Sequence, residues 1–301
     1  MRIGFALPQF GALAHQPDQV ARFAEQAEQQ LGADSLWVGD RLLAPVDPTV
    51  GYGGGTTIPA EFNSILDPFG LLTVAATVTG RVQLGTNVLN APWYPPAIFA
   101  RSLTSIDLFS AGRLLLGLGI GWSPEEYVAA GIPMTERGAR LDECLDALDA
   151  LWTADPAEYH GRHWTVPATR VELTPAQKGG PPIYLAGFAP AAVRRVARRA
   201  DGWLPVYRPG TREFDPEATI AAPLARIRKL AAAQGRDPAS IGTVLRVYPV
   251  AGVSARECAT ALVRAEREAG TDHAFVDLQC LAESVDHALE LAGRILEHAR
   301  R

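Results

Sequence analysis

The sequence predicts a (β/α)8 barrel, and three observations predict it. Short apolar runs alternate with longer helical stretches eight times along the chain. The runs are continuously apolar, as strands are when helices cover both faces of a parallel sheet. Residues able to carry chemistry gather just after those runs, where a barrel of this kind holds its active site. Eight units favour a closed barrel over an open doubly wound sheet. No linker divides the 301 residues, so one domain over 1–301 is expected.

The elements follow in order. Residues 3–7 are a compact apolar run stopped by Pro8 and read as the first strand. Residues 17–31 open with a proline and carry Val20, Phe23, Ala24 and Ala27 at helical spacing. Residues 35–38 are the second strand, and 44–63, rich in Pro, Gly and Thr, a long loop. Residues 67–79 form a helix capped by Asp67 with Pro68 at its first position. The third strand is 82–89, its helix 95–109, and the fourth strand 114–118. A helix with leucines at 141, 145, 148 and 151 spans 136–152. Residues 154–180 keep no sustained period and read as an insertion after the fourth strand. Strand and helix then alternate as 182–185 and 189–199, 202–206 and 216–234, 243–250 and 255–269, 274–278 and 284–300.

Composition narrows the function. The chain is 48% hydrophobic and 20% charged with net charge -5, which excludes the basic face of a nucleic-acid binder. No apolar run reaches the roughly 18 residues of a membrane helix, and the N-terminus enters a strand rather than a leader, so a cytoplasmic protein without membrane association is expected. Cys144, Cys258 and Cys280 form no C-x-x-C pair and no disulfide framework. His160 and His163 lack a carboxylate at ligand spacing, so no metal site is expected.

The strand ends hold the candidates. Gly117, Gly119 and Gly121 lack the G-x-G-x-x-G spacing of a dinucleotide fingerprint. They admit a flat ring system against the backbone, or they serve close packing in the barrel wall. Ala186-Gly187-Phe188 leads into a helix whose free N–H groups and dipole suit an anion, with Arg194 and Arg195 early in that helix. Asp40 and Arg41 place a carboxylate and a guanidinium together as catalytic candidates, or as a surface ion pair. Arg41 orients an oxygen in the first reading, because its pKa is too high for a general acid. Phe10, Trp93 and Trp122 are candidates to wall an apolar substrate pocket, with Tyr207 beside the sixth strand end. Glu125 and Glu126 read either as an acidic helix start or as substrate partners.

Several strings together resemble one family. These are Ser35-Leu36-Trp37-Val38-Gly39-Asp40, Leu84-Gly85-Thr86-Asn87-Val88-Leu89, Asp107-Leu108-Phe109-Ser110-Ala111-Gly112-Arg113-Leu114 running into Gly117-Leu118-Gly119-Ile120-Gly121-Trp122, Pro181-Pro182-Ile183-Tyr184-Leu185-Ala186-Gly187, and Ala200-Asp201-Gly202-Trp203. The pattern is similar to the luciferase-like monooxygenase superfamily over nearly the whole chain. The resemblance implies a barrel with an insertion after the fourth strand and one of two cofactors. One branch uses reduced FMN and dioxygen as a monooxygenase fed by a separate reductase. The other uses the deazaflavin coenzyme F420 for hydride transfer to or from a small organic substrate, and this branch is the nearer resemblance. It further implies that a non-proline cis peptide at Asn87-Val88 backs the cofactor ring, that Asp40 and the residues Gly119, Ile120 and Gly121 flank the cofactor, and that Ala186, Gly187 and Phe188 hold its phosphate. The deazaflavin branch often has Asp-His where this chain has Asp40-Arg41. That departure leaves the proton donor open and keeps a non-catalytic ligand-binding barrel as a third reading. Relatives are frequently dimers, with helices 67–79 and 95–109 the expected interface.

Overall fold

The computed structural model describes residues 1–301 apart from Gly54. Eight parallel staves close into a barrel. They are β1 (Arg2–Ala6), β2 (Ser35–Val38), β3 (Gln83–Thr86) continued by β4 (Leu89–Asn90), β5 (Leu114–Gly119), β8 (Ile183–Ala186), β9 (Gly202–Leu204) continued by β10 (Val206–Tyr207), β11 (Gly242–Thr243) continued by β12 (Leu245–Val247), and β13 (His273–Val276). β13 pairs with β1, and the ladder runs through β2, β3, β5, β8 and β9 to β11. The pairs β10–β12 and β12–β13 complete the ring. The breaks in the staves cost little pairing. Val244 N–H donates to the Trp203 carbonyl and Arg246 N–H to the Pro205 carbonyl, bridging the gap. The third stave is interrupted at Asn87–Val88, where the peptide bond is cis.

Side-chain alternation splits the apolar residues into two layers. Outward residues such as Leu36, Leu84, Leu114 and Leu116 pack under the helices. Inward residues Trp37, Leu115, Leu204, Val244 and Phe275 fill the barrel, with Trp37 stacked on Phe275 at 4.5 Å. Trp37 dictates a glycine beside it: a Cβ on Gly85 would lie 2.3 Å from its ring. The barrel interior is therefore a packed core, and space for a ligand lies only above it.

Helix ends follow their local chemistry. α2 (Pro68–Val78) starts where Asp67 Oδ1 accepts from Gly70 N–H at 2.8 Å. α8 (Ala255–Ala269) carries a capping box between Ser254 and Glu257 and stops at Gly270 with φ +64°. α3 (Pro96–Phe109) and α9 (Val285–Ala299) lie within two residues of expectation.

One expectation needs correction. The insertion is not irregular: β6 (Ala157–His160) and β7 (Thr165–Thr169) form an antiparallel hairpin. Only Ala157 and Val166 in its strands are buried, too few to print a period. It is held from outside itself, by Glu143 of α5 (Arg137–Thr153), which accepts from the N–H groups of Arg162, His163 and Trp164 and meets His163 Nδ1 at 2.7 Å. A short helix, α4 (Pro124–Ala129), also precedes α5. Among the described residues no helix is long and apolar enough to cross a membrane.

Candidate active site

A cavity of about 200 Å³ opens at the C-terminal end of the barrel. Larger grooves lie beside the first and last loops and along α3. The buried charged groups of the strand ends converge on the smaller cavity, which makes it the candidate site.

Asp40 lines it, held from two sides. Gln9 ties the ends of β1 and β2 together, receiving Gly39 N–H at 2.7 Å and donating to the Gly39 carbonyl at 2.9 Å. Asp40 Oδ2 then accepts from Asn90 N–H at 2.8 Å and from the Tyr94 hydroxyl at 3.0 Å. Burial pushes its carboxyl up to about 7, against the pull of those two donors, with Glu126 and Asp67 adding to the rise.

Arg41 is not paired with Asp40. Its Nε lies 3.1 Å from Glu126 Oε1, Nη2 donates to the Leu43 carbonyl at 2.9 Å, and its plane sits between Phe62 at 5.1 Å and Trp122 at 4.5 Å. Both members of the pair are buried, Arg41 8% and Glu126 1% exposed. Glu126 Oε1 also accepts from Leu42 and Leu43 N–H. Burial raises the Glu126 carboxyl, and Arg41 opposes the rise. Glu125 accepts from Thr49 N–H at 2.8 Å, which holds its carboxyl down at about 2. The two glutamates that read as a helix start thus anchor the loop after β2.

The structure brings further residues into the site that sequence reasoning missed. Arg246 of β12 lines the cavity and pairs with Asp277, which follows β13. Burial alone would depress the guanidinium; Asp277 outweighs it and keeps it charged. The signal was present, since Arg246 is the one charge in the apolar run 243–250. Tyr52, from the long loop, meets Phe62, Trp122 and Tyr248 edge-on at 5.1, 5.6 and 5.7 Å. Arg208 stands over the Tyr52 and Tyr248 rings.

Of the expected ligand-binding residues, Phe10, Asn87, Val88, Trp122, Ala186 and Phe188 line the cavity. Others do not. A Cβ on Gly119 would lie 2.5 Å from Val88, and one on Gly117 only 1.8 Å from the Thr86 carbonyl oxygen. Close wall packing accounts for these two glycines, and Gly119, Ile120 and Gly121 sit beside the cavity rather than on it. Trp93 is buried against Tyr127 at 6.0 Å. Tyr207 points the other way, stacked on Phe214 at 4.2 Å with its hydroxyl donating to the Arg212 carbonyl. Gly187 has φ +126° and its carbonyl accepts from Trp203 Nε1. The arginines expected near it are engaged elsewhere or exposed: Arg195 pairs with Asp142 of α5, and Arg194 faces solvent. His160 and His163 pair with Glu158 and Glu143, and among the described residues no cluster of His, Cys, Asp or Glu is placed to hold a metal.

Comparison with known proteins fits this architecture. An uncharacterized protein of Mycobacterium tuberculosis is 34% identical over 182 residues, covering 60% of this chain. The chain spans only 62% of that relative's length. The phthiodiolone/phenolphthiodiolone dimycocerosates ketoreductase of Mycobacterium bovis is 31% identical over 252 residues, 80% of this chain and 63% of that protein. Two solved structures share the fold. A monooxygenase of Streptomyces bottropensis has a TM-score of 0.76 at 19% identity, covering 99% of this chain and 98% of its own. An F420-dependent secondary alcohol dehydrogenase in complex with an F420–acetone adduct has a TM-score of 0.72 at 16% identity, covering 100% and 99%. A family model described as luciferase-like monooxygenase matches residues 1–300, and the chain belongs to that family.

Proposed function

We propose that this chain is an F420-dependent oxidoreductase that transfers a hydride between the deazaflavin and a small organic substrate at the barrel mouth. The observation that carries the reading is Asp40: a carboxyl on the wall of a cavity of mixed apolar and polar lining, pushed by burial up to about 7. Hydride transfer to a carbonyl, or from an alcohol, requires a proton to move at the substrate oxygen, and a group titrating near the working pH is suited to move it.

The residues present fit such a cofactor. Val88, Ala186 and Leu204 give apolar walls for a flat ring, and Arg41 Nη1 and Asn87 Nδ2 are buried donors without a protein acceptor, suited to ring or substrate oxygens. When bound, the deazaflavin supplies or accepts the hydride. The chain's own part is to orient, exclude water and hold the proton on Asp40. Arg41 orients an oxygen and is no acid. The cavity is smaller than the roughly 300–1,000 Å³ typical of a whole ligand site, so it takes the reacting end, with the rest lying in the open mouth. The exposed apolar side chains Val74, Ile98 and Phe109 on α2 and α3 support self-association there.

The family name and the Streptomyces neighbour favour a second reading, an FMN-dependent monooxygenase fed by a reductase. Equilibrium binding of oxidised F420 and of FMN, followed by fluorescence at matched salt, separates the two. Tighter F420 binding supports the proposal, tighter FMN binding supports the monooxygenase, and binding of neither refutes both. With F420 bound, Asp40→Asn is expected to slow hydride transfer about 10²–10⁴-fold and to abolish its pH dependence near 7.

A further inference from the structure

We infer that Tyr94 is a positioning residue that fixes the Asp40 carboxyl so that Oδ1 is the oxygen presented to the substrate and the one that carries the titrating proton. The inference rests on the reading of Asp40 as the proton partner.

The geometry assigns the two oxygens different roles. Oδ2 accepts two hydrogen bonds, from Asn90 N–H at 2.8 Å and from the Tyr94 hydroxyl at 3.0 Å. The Asp40 carbonyl accepts from Asn90 Nδ2 at 3.1 Å, so backbone and side chain are clamped by the same segment. Among the described residues no donor reaches Oδ1. A proton on Oδ2 would face two donors already aimed at it, so the proton sits on Oδ1.

Tyr94 is itself fixed without reference to Asp40. It lies between the short turn at Ala91–Trp93 and Pro95, which precedes α3. Its ring stacks on Phe99 at 4.9 Å and 10°, and Phe69 of α2 meets it edge-on at 5.4 Å. Two rings, one from each of two helices, therefore aim the Tyr94 hydroxyl at one carboxylate oxygen. Removing that hydroxyl leaves the rings in place and changes only what Oδ2 receives.

The other charges around Asp40 are Glu126 on α4 and Asp67 at the start of α2, which disfavour its ionised form, and the Arg41 guanidinium, which favours it. None of them is altered by Tyr94→Phe. A donor to the ionised form lowers a carboxyl pKa, so losing the Tyr94 hydroxyl raises it.

The test reads the protein alone. The backbone amide of Asn90 donates directly to Oδ2, so its ¹H–¹⁵N chemical shift reports Asp40 ionisation. In the unmodified protein it should titrate with a midpoint near 7. Tyr94→Phe should move that midpoint up by about one pH unit, tenfold in the ionisation constant. Asp40→Asn should abolish the titration. An unmoved midpoint in a folded Tyr94→Phe protein overturns the inference, and so does a titration that survives Asp40→Asn. Tyr94→Leu, which loses the stacking too, should also scatter the carboxyl and broaden the Asn90 signal; a sharp, unshifted signal there counts against positioning. In F420-loaded protein, Tyr94→Phe should shift the pH–rate profile the same way and lower kcat more than it raises KM. Failure of F420 and FMN to bind would sink the proposed function while leaving the amide titration to decide this inference independently.

Discussion

Replacing Glu126 by leucine should destabilise the protein far more than replacing Arg41 and Glu126 together. Glu126 is 1% exposed and is the partner of an arginine that is itself 8% exposed. Glu126→Leu leaves a buried guanidinium whose remaining bond is to the Leu43 carbonyl, and it orphans the Leu42 and Leu43 N–H groups. Breaking a buried pair by removing one partner costs about 3–5 kcal/mol. The amides can partly turn to water, because Leu42 is exposed, so about 4 kcal/mol is expected. The double variant Arg41→Met, Glu126→Leu carries no buried charge. Its losses are the stack on Phe62 and Trp122, about 0.5–2 kcal/mol, and weakened support of the loop, so a total near 2 kcal/mol is expected. Urea unfolding of the four proteins in a double-mutant cycle measures the difference. Equal destabilisation of the single and double variants, or a Glu126→Leu cost below about 1 kcal/mol, would show that the pair is effectively solvated and refute the reasoning. Glu126→Gln adds a control that keeps an acceptor for the amides while removing the charge.

The remaining predictions concern the barrel interior. His273 is fully buried, its Nε2 lies 2.7 Å from Ser35 Oγ while Trp37 Nε1 donates to that same oxygen, and burial pushes its pKa from 6.5 down to about 3. Between those values the unfolded chain binds the extra proton, so stability is complete above 6.5 and falls by up to about 1.4 kcal/mol per pH unit on acidification; unfolding midpoints from pH 7 to 4 should show that slope, and His273→Gln should remove it. Gly117→Ala places a methyl 1.8 Å from the Thr86 carbonyl oxygen and 2.7 Å from Leu204, so overpacking should cost about 1–3 kcal/mol or more. Gly80→Ala meets nothing within 4 Å and should leave the melting temperature nearly unchanged; similar melting for both variants would contradict the tight wall.

The barrel was legible because its signals are local. Apolar runs, the Asp67-Pro68 start, the Ser254–Glu257 box and Gly270 each act within a few residues, and the structure uses all of them. The site was legible only to the level of strand ends. Which of two neighbouring residues faces the cavity depends on strand phase, and phase is set by the barrel. Val206 lines the cavity, so Tyr207, the next residue in a period of two, must face the helices. Gly119 follows Leu115 and Gly117 inward, where Val88 meets it. The partners Glu126 of Arg41 and Asp277 of Arg246 lie on other elements, and neither spacing nor composition links them.

Those pairings also decide which group at the mouth can respond to pH. Arg41 stands next to Asp40 in sequence, and a direct ion pair would have held that carboxyl low and ionised. Glu126 takes the guanidinium instead, and Asp277 takes that of Arg246. Each buried cation is matched by its own carboxylate, so Asp40 keeps two neutral donors against its burial and the nearby Glu126 and Asp67 carboxylates. The donors pull the carboxyl down and burial, the larger effect, pushes it up, so the balance falls near neutrality. In the proposed reaction the titrating role therefore falls to Asp40, and Arg41, held by Glu126, is a fixed, charged wall.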